Sequence, residues 1–567
     1  MKKIIILFTL LFCTLTFAQN NNISLTNTEH FIRTWGLVKY KHPNVSNGGY
    51  DMDQEFLKAY PNVLKLNTKE ELNTFLIQWI KKFDSSRRVT KKEQFKDNDD
   101  TRFKENARFE WIEDASYNDA LKTTLGDLRD NANVGEYYLR IHSMAGSLRI
   151  ENEKGLSDFS NENESHRMLF LSSFWNTMRY ANVNIYLTST PWDEVLTTFI
   201  PLVKDKKGKD FDYLKDELFA FLDDSHSDYT ASKYLKDNFK YHCMFRSVLV
   251  NDSLVITSLQ DKDIAQKENI ALRDVIFSVD EVPVKEYIAN KFTKYISSSN
   301  SSSAKHYLKY LFPLISDKQK LTLGIKRGNG DIVNTEVSLF TFDELSKLNN
   351  WVSLYYEDKF PTLPQGVGYY NLDKATPKSL KETFKNFADK KAIILDLRNY
   401  PKEISERDVP KYLLPEKRRF LDLLTWSSPA YGEWGPKGAI MMVADPFVTG
   451  NKNKDYYKGT VILLVDRNTA SKSEFLAMAI QQAPNCVTIG NQTAGAVMNR
   501  KLVILKDGTT IDFTSAGAFY PNDRTYSVQR NGIKVDHIVP EQATGYNSYG
   551  AIQYAVDWAK ENVLEKD

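Results

Sequence analysis

The sequence predicts a multidomain α+β protein with a helical N-terminal region, a small β-rich module and a C-terminal α/β core. Three observations carry that expectation. At 567 residues the chain exceeds one hydrophobic core, and its length corresponds to about three or four domains. Apolar residues recur at helical spacing up to about residue 240, fall into short strand-like runs with turns over 241–343, and alternate between strand-like and helix-like segments over 344–567. Within the last region an unbroken apolar run, Val461–Val465, has the length and β-branched content of a strand buried on both faces of a parallel sheet.

Composition narrows the function classes. Hydrophobic content of 42% beside 26% charged residues is that of an ordinary globular chain. The 75 basic and 73 acidic residues leave +2, which provides no electrostatic footprint for nucleic acid or an anionic membrane. Residues 1–18 read as an export signal: Lys2 and Lys3 precede the apolar Ile4–Phe12, Thr16 and Ala18 supply small residues, and cleavage is expected before Gln19. The apolar stretch is short for a membrane anchor and no later run is long enough, so a periplasmic or extracellular protein without membrane contact after signal removal is expected. Cys243 and Cys486 fall in different predicted domains, which favours two free thiols over a disulfide. No CxxC, HExxH or dense His cluster supports a metal site, and no cofactor is implied.

The helical region, 19–240, shows an internal correspondence at a shift of 140 residues: Trp35 with Trp175, Tyr40 with Tyr180, Asn44 with Asn184, Asp53 with Asp193 and Pro61 with Pro201. Two related helical hairpins explain it, each with the Asp as N-cap and the Pro as stop; chance matching of aromatic-rich helices is the alternative. Gln94–Asn163, between the copies, is polar and irregular. Phe211–Leu222 builds one apolar helix face and ends in the polar turn Asp223–Ser227. By itself His226 in that turn reads as a histidine satisfying helix carbonyls.

In the β-rich module, Leu249-Val250 and Leu254–Thr257 flank an Asn251-Asp252 turn, and the module has about the size of a domain that binds peptides by strand addition. Ser297–Ser303 reads as a loop rather than a site. In the core, Gly366–Leu372 and Ala392–Leu397 bracket a helix from about Pro377 to Ala388, and Trp426–Met442 is expected to cover a cleft. Ser471 stands where the strand Val461–Val465, the turn Asp466–Ala470 and a new helix meet. The first N–H groups of that helix lack intrahelical partners and could stabilise an oxyanion at a Ser471-linked carbonyl. Equally, Ser471 with Glu474 three residues on makes a capping box.

Several pieces occur together in one order: the Asp224-Ser225-His226-Ser227 turn, Leu272–Val279 with Pro283, Ile393–Arg398 ending Asp-Leu-Arg, Thr469–Glu474, Ile489–Gly495 and Gly532–Asp536. In that order they resemble the exported carboxyl-terminal-processing and tricorn-core serine peptidases, and Trp35–Pro43 is similar to the helical front end of secreted members. The resemblance implies a PDZ-like module over 241–343 and a crotonase-like peptidase core over 344–567. It further implies Ser471 as nucleophile and the Lys472 N–H as oxyanion donor. In one branch of the family the base is a lysine in a Gly-Lys turn, where this chain has Ala496. In the tricorn-like branch it is a histidine, here His226, held through Ser225 by a glutamate at the position of Gln529. The resemblance therefore implies a secreted serine endopeptidase that cleaves peptides or unfolded segments through a Ser–His relay. The Gln529 amide and the glycine-free Asn399–Lys402 loop, with Pro401 lacking an N–H, point to the alternative of a weak or inactive member that binds peptides.

Overall fold

The computed structural model describes residues 2–84, 102–106, 108–131, 133–227, 232–310, 314–427 and 431–565. Met1 and the side chains of residues 2–21, on which the export signal rests, lie outside the described residues, as do 94–101, 107 and 132 of the polar stretch and, in the expected cleft cover, 428–430 and the side chain of 442. The chain is a multidomain α+β protein that divides into two compact units. One comprises Met1–Phe221, Leu423–Asp445 and Arg500–Ala516, and the other Leu222–Asp422, Pro446–Asn499 and Gly517–Asp567. Among the described residues no helix is long and apolar enough to cross a membrane.

The first unit is built on α1 (Lys2–Lys41), α2 (Met52–Val63), α3 (Lys69–Lys81), α4 (Glu164–Ala181), α5 (Trp192–Asp205) and α6 (Gly208–Ala220). The Trp35 indole N–H donates to Met52 O at 2.9 Å, and the Trp175 indole N–H donates to Trp192 O at 2.7 Å, so each long helix is tied to the start of the helix that follows. The helices α1 and α4 meet where Gly36 faces Asn176; a Cβ on Gly36 would sit 1.7 Å from Asn176 Oδ1. One turn on, Tyr40 and Tyr180 stack with centroids 4.9 Å apart. Two sequence details need correction. The cap of α2 is Asp51, whose carboxylate accepts from Asp53 N and Gln54 N, while α5 follows Pro191 without a side-chain cap, so Asp53 and Asp193 lie in the first turns. Pro61 and Pro201 lie inside their helices, which continue because Val63 and Val203 beyond them are buried in the core.

A four-charge network is buried in the same unit. Lys39 Nζ lies 2.5 Å from Glu153 Oε1, and Lys506 Nζ lies 2.7 Å from Asp53 Oδ2 and 3.1 Å from Glu153 Oε2. Burial alone would raise the Glu153 carboxyl, but the two ammonium groups hold it down at about 2.

Two larger sheets build the second unit. The first is mixed in order but antiparallel in its pairings: β1 (Tyr241–Cys243), β2 (Phe245–Val250), β3 (Ser253–Leu259), β4 (Val275–Val279), β5 (Lys320–Lys326) and β6 (Ile332–Phe340). Its central path runs β3-β4-β5-β6-β1, and among the described residues β2 pairs only with β3, through the expected Asn251-Asp252 hairpin, where Asn251 adopts φ 53°. Between β4 and β5 comes α7 (Ser301–Tyr310). The second sheet is parallel throughout, in the order β7 (Val367–Asn371), β8 (Ala392–Asp396), β9 (Thr460–Val465), β10 (Cys486–Gly490), β11 (His537–Ile538). All five residues of β8 are buried, as a two-sided strand requires. One face is covered by α10 (Gly550–Ala559), with α8 (Pro377–Asn386) as the crossover from β7 to β8 and α9 (Lys472–Ile480) as that from β9 to β10; Ile552, Ala555 and Val556 of α10 join Ile394, Ile462 and Leu464 in one core cluster. Cys243 and Cys486 are both free thiols, and burial pushes the Cys243 thiol up to about 12.

Candidate active site

The sheet delivers Ser471. Strand β9 ends at Val465, the turn is closed by Thr469 N donating to Asp466 O at 2.9 Å, and α9 begins at Lys472. Thr469 Oγ1 also donates to Leu397 O at 3.0 Å and accepts from Asp466 N, so the turn is pinned to the end of the neighbouring strand β8. Ser471 then takes φ 55° and ψ −116°. An ordinary N-cap has extended backbone angles; a non-glycine residue here is strained by about 1–3 kcal/mol and persists only where its surroundings hold it. The sharp strand-to-helix turn lifts the hydroxyl away from the sheet and leaves Ser471 half-exposed.

What holds it is Glu474, which is fully buried. Its Oε2 accepts from Ser471 N at 3.3 Å and from Ala496 N at 2.9 Å; its Oε1 accepts from Gly495 N at 2.7 Å and from Thr493 Oγ1 at 2.6 Å. Burial without a cation pushes this carboxyl up to about 7, against the pull of the four donors. The sequence shows Glu474 only as half of a capping box; that it also gathers the 493–496 loop comes from the fold. Ala494 completes the brace by donating its N–H to Thr469 O at 3.0 Å.

The other expected residues arrive from the Asp224–Ser227 turn and the strained segment at Gln529. Ser225 Oγ donates to Ala494 O at 3.1 Å, so the turn that carries His226 and the turn that carries Ser471 are bound to the same residue. His226 is half-buried and its peptide N–H donates to Asp224 Oδ1 at 2.9 Å. The expected pairing of Gln529 with Ser225 is replaced by another: Gln529 Nε2 donates to Asp224 Oδ1 at 3.3 Å, while its Oε1 is buried without a hydrogen-bond partner. Ser225 instead exchanges two bonds with Ser299, its N–H giving to Ser299 Oγ and its Oγ accepting from Ser299 N, both at 2.9 Å. The reason is backbone geometry. Gln529 and Arg530 leave the helical region, with Arg530 at φ 75°, and this turns the Gln529 amide toward Asp224.

Sequence reasoning also passed over Ser297–Ser303 as a loop. Ser297, Ser299 and Ser303 are buried, and Ser297 Oγ both donates to Asp224 O and accepts from Asp224 N at 3.0 Å. Runs of serine are read as solvated because serine is usually at the surface; the signal that could have found this one is its density beside another serine-bearing turn.

Ala496 is 1% exposed, and Lys472 Nζ turns aside to donate to Lys402 O at 3.1 Å, across the loop that follows Asp-Leu-Arg. In that motif Arg398 makes two bonds to Asp396, at 3.0 and 2.7 Å, and Tyr369 OH adds a third at 2.8 Å, which anchors the loop to the sheet.

Part of the chain is similar to known proteins. Residues 431–539 match the family described as Peptidase family S41. A nisin-resistance protein of Lactococcus lactis subsp. lactis is 29% identical over 156 residues, 27% of this chain and 43% of that protein. A carboxyl-terminal-processing protease of Picosynechococcus sp. is 32% identical over 91 residues, 16% of this chain and 22% of that protein. The chain thus spans less than half the length of these curated relatives. Among solved structures, mature CPAF complexed with lactacystin superposes with a TM-score of 0.52 at 10% identity, covering 69% of this chain and 96% of that one, a likeness of fold. These findings overturn the expected Ser–His relay, because S41 and carboxyl-terminal-processing peptidases use a Ser–Lys dyad. By motif order, matched segment and fold, the chain is similar to the S41 and tricorn-related serine peptidases.

Proposed function

We propose that the chain is an exported serine-type peptidase acting on peptides or unfolded segments, with Ser471 as nucleophile and the Lys472 N–H as oxyanion donor. The observation that carries this is the backbone of Ser471, held at φ 55° and ψ −116° at the mouth of α9. That conformation is not the extended one an N-cap needs, and it presents a hydroxyl beside the first N–H of the helix, at Lys472, where charge on a tetrahedral intermediate would be stabilised. The S41 match over 431–539 supports the same reading. We read the 241–343 module as PDZ-like, with β2 as a strand whose pairing partner among the described residues is β3, and the 344–567 region as a crotonase-like core.

A serine hydroxyl needs a base for efficient attack. With Ala496 where the dyad lysine stands in relatives, turnover is expected to be slow. The test is labelling of the mature protein with a fluorophosphonate probe, beside hydrolysis of β-casein, for wild type and Ser471→Ala. Labelling lost in Ser471→Ala, with slow casein cleavage lost alongside, is the expected result. Absence of any Ser471-dependent labelling in wild type would overturn the reading and leave peptide binding without turnover.

A further inference from the structure

The side chain of Asn300 performs two tasks at once. Its Oδ1 accepts from Ser303 N at 2.9 Å, three residues on, and its carbonyl accepts from Ala304 N at 3.0 Å, which makes it the N-cap of α7. Its Nδ2 donates in the opposite direction, to Thr493 O at 2.9 Å and to Arg530 O at 2.7 Å. Those two carbonyls belong to the segments on which the candidate site hangs. Thr493 opens the loop whose Ala494 holds Thr469, and whose Gly495 and Ala496 hold Glu474. Arg530, at φ 75°, follows Gln529, and its own N–H donates to Gly495 O at 2.9 Å. A Cβ on Gly495, itself at φ 68°, would lie 2.6 Å from Arg530 O, so the two segments have no slack between them.

Flanking residues extend the same seam. Ser302 Oγ donates to Gln492 O at 2.6 Å, and Arg530 Nε donates to Ser299 O at 3.1 Å. The head of α7, a helix of the β-rich module, is thereby bonded to the loop that braces the Ser471 turn.

The chemistry of the residue type is informative. Serine, threonine and aspartate cap helices as well as asparagine does, since each offers an acceptor oxygen. Of these four, only asparagine also offers an N–H₂ with two donors. The two acceptors at Thr493 and Arg530 use both.

We propose that Asn300 is a positioning residue for the Ser471 site: through Nδ2 it sets the 492–496 loop and the Gln529-Arg530 turn in register, and so fixes the strained Ser471 backbone. This rests on Ser471 being the nucleophile. It acts through other residues and touches no substrate. Misplacing a reacting group by about 1 Å costs on the order of a hundredfold in rate, so losing both bonds is expected to slow reaction at Ser471 by about 10- to 100-fold while the cap, and with it the fold, is kept.

The experiment compares the rate of fluorophosphonate labelling in full-length mature wild type, Asn300→Ser, Asn300→Asp and Ser302→Ala, at temperatures below each thermal midpoint. Both Asn300 variants keep a capping oxygen, and their midpoints should stay within a few degrees of wild type. Labelling should fall in both, and for casein the loss should appear in kcat with KM little changed. In Asn300→Asp a carboxylate oxygen faces two carbonyls; its protonation restores one donor, so its rate relative to wild type should recover as pH falls from about 8 to about 5. A role confined to capping predicts none of this. Wild-type labelling rates in folded Asn300→Ser would overturn the proposal and leave the Ser471 reading standing, whereas a wild-type protein that does not label at Ser471 removes both. Should neither Asn300 variant fold, Ser302→Ala decides: a two- to fivefold slowing supports the seam, and an unchanged rate assigns Asn300 to stability alone.

Discussion

Glu474 shows how one side chain can serve a cap and a site together. Both carboxylate oxygens are filled by donors, two on each. In Glu474→Gln an NH₂ group would face Ser471 N and Ala496 N, leaving two buried donors unpaired at about 1–3 kcal/mol each. Glu474→Gln should therefore lower stability by about 2–6 kcal/mol in urea denaturation and abolish labelling at Ser471. The wild-type residue also sets a pH dependence. Its carboxyl is raised from 4.5 to about 7 by burial, so the native state holds its proton more tightly than the unfolded chain. Its contribution is full below about pH 4.5 and is lost as pH rises through about 7, a change of about 3 kcal/mol. A denaturation series over that window should show the slope in wild type, and it should disappear in Glu474→Gln.

Helix crossing in the first unit depends on a small residue opposite an amide. Gly36 and Asn176 stand at equivalent places of the 140-residue correspondence, and Asn176 Nδ2 donates to Ile32 O at 3.1 Å across the contact. Gly36→Ala places a methyl group where Asn176 Oδ1 lies, and overpacking of that kind costs about 1–3 kcal/mol or more. The measured loss should be at the upper end, because α1 and α4 are each tied by a tryptophan indole to the next helix and cannot slide apart. Asn176→Ala should relieve it: the double variant is expected to be more stable than the sum of the singles, a coupling measurable by thermal denaturation. Additive losses would show that the contact gives way elsewhere.

The first unit is assembled from three separate stretches of chain, and Lys506 brings the last of them to the carboxylates of Asp53 and Glu153. Asp53 and Glu153 are both buried, so Lys506→Met leaves two carboxylates facing only Lys39. Breaking a buried pair from one side costs about 3–5 kcal/mol. Urea denaturation should show a loss of that order, and residues 19–221 expressed alone should fail to form the cooperative unit.

Periodicity and turn chemistry are local, which is why the helical region, the Asn251-Asp252 hairpin, the strand Val461–Val465 and the break at Ser471 could all be read before any fold was known. The apolar period and the turn residues that set these features lie within a few positions of one another. Motif order likewise pointed to serine peptidases without coordinates. Other features join residues far apart in the chain. Gln529, in a turn of non-helical backbone, binds Asp224 rather than Ser225, and Ser297, Ser299 and Ser303 are buried where the 224–225 turn and the 492–493 loop meet their stretch. Hydrogen-bond partners more than 70 residues apart leave no periodic trace, since an amide or hydroxyl is satisfied by whichever group the fold brings within about 3 Å. The pattern of side chains along the chain therefore specified the elements, and packing selected which polar groups among them meet at Ser471.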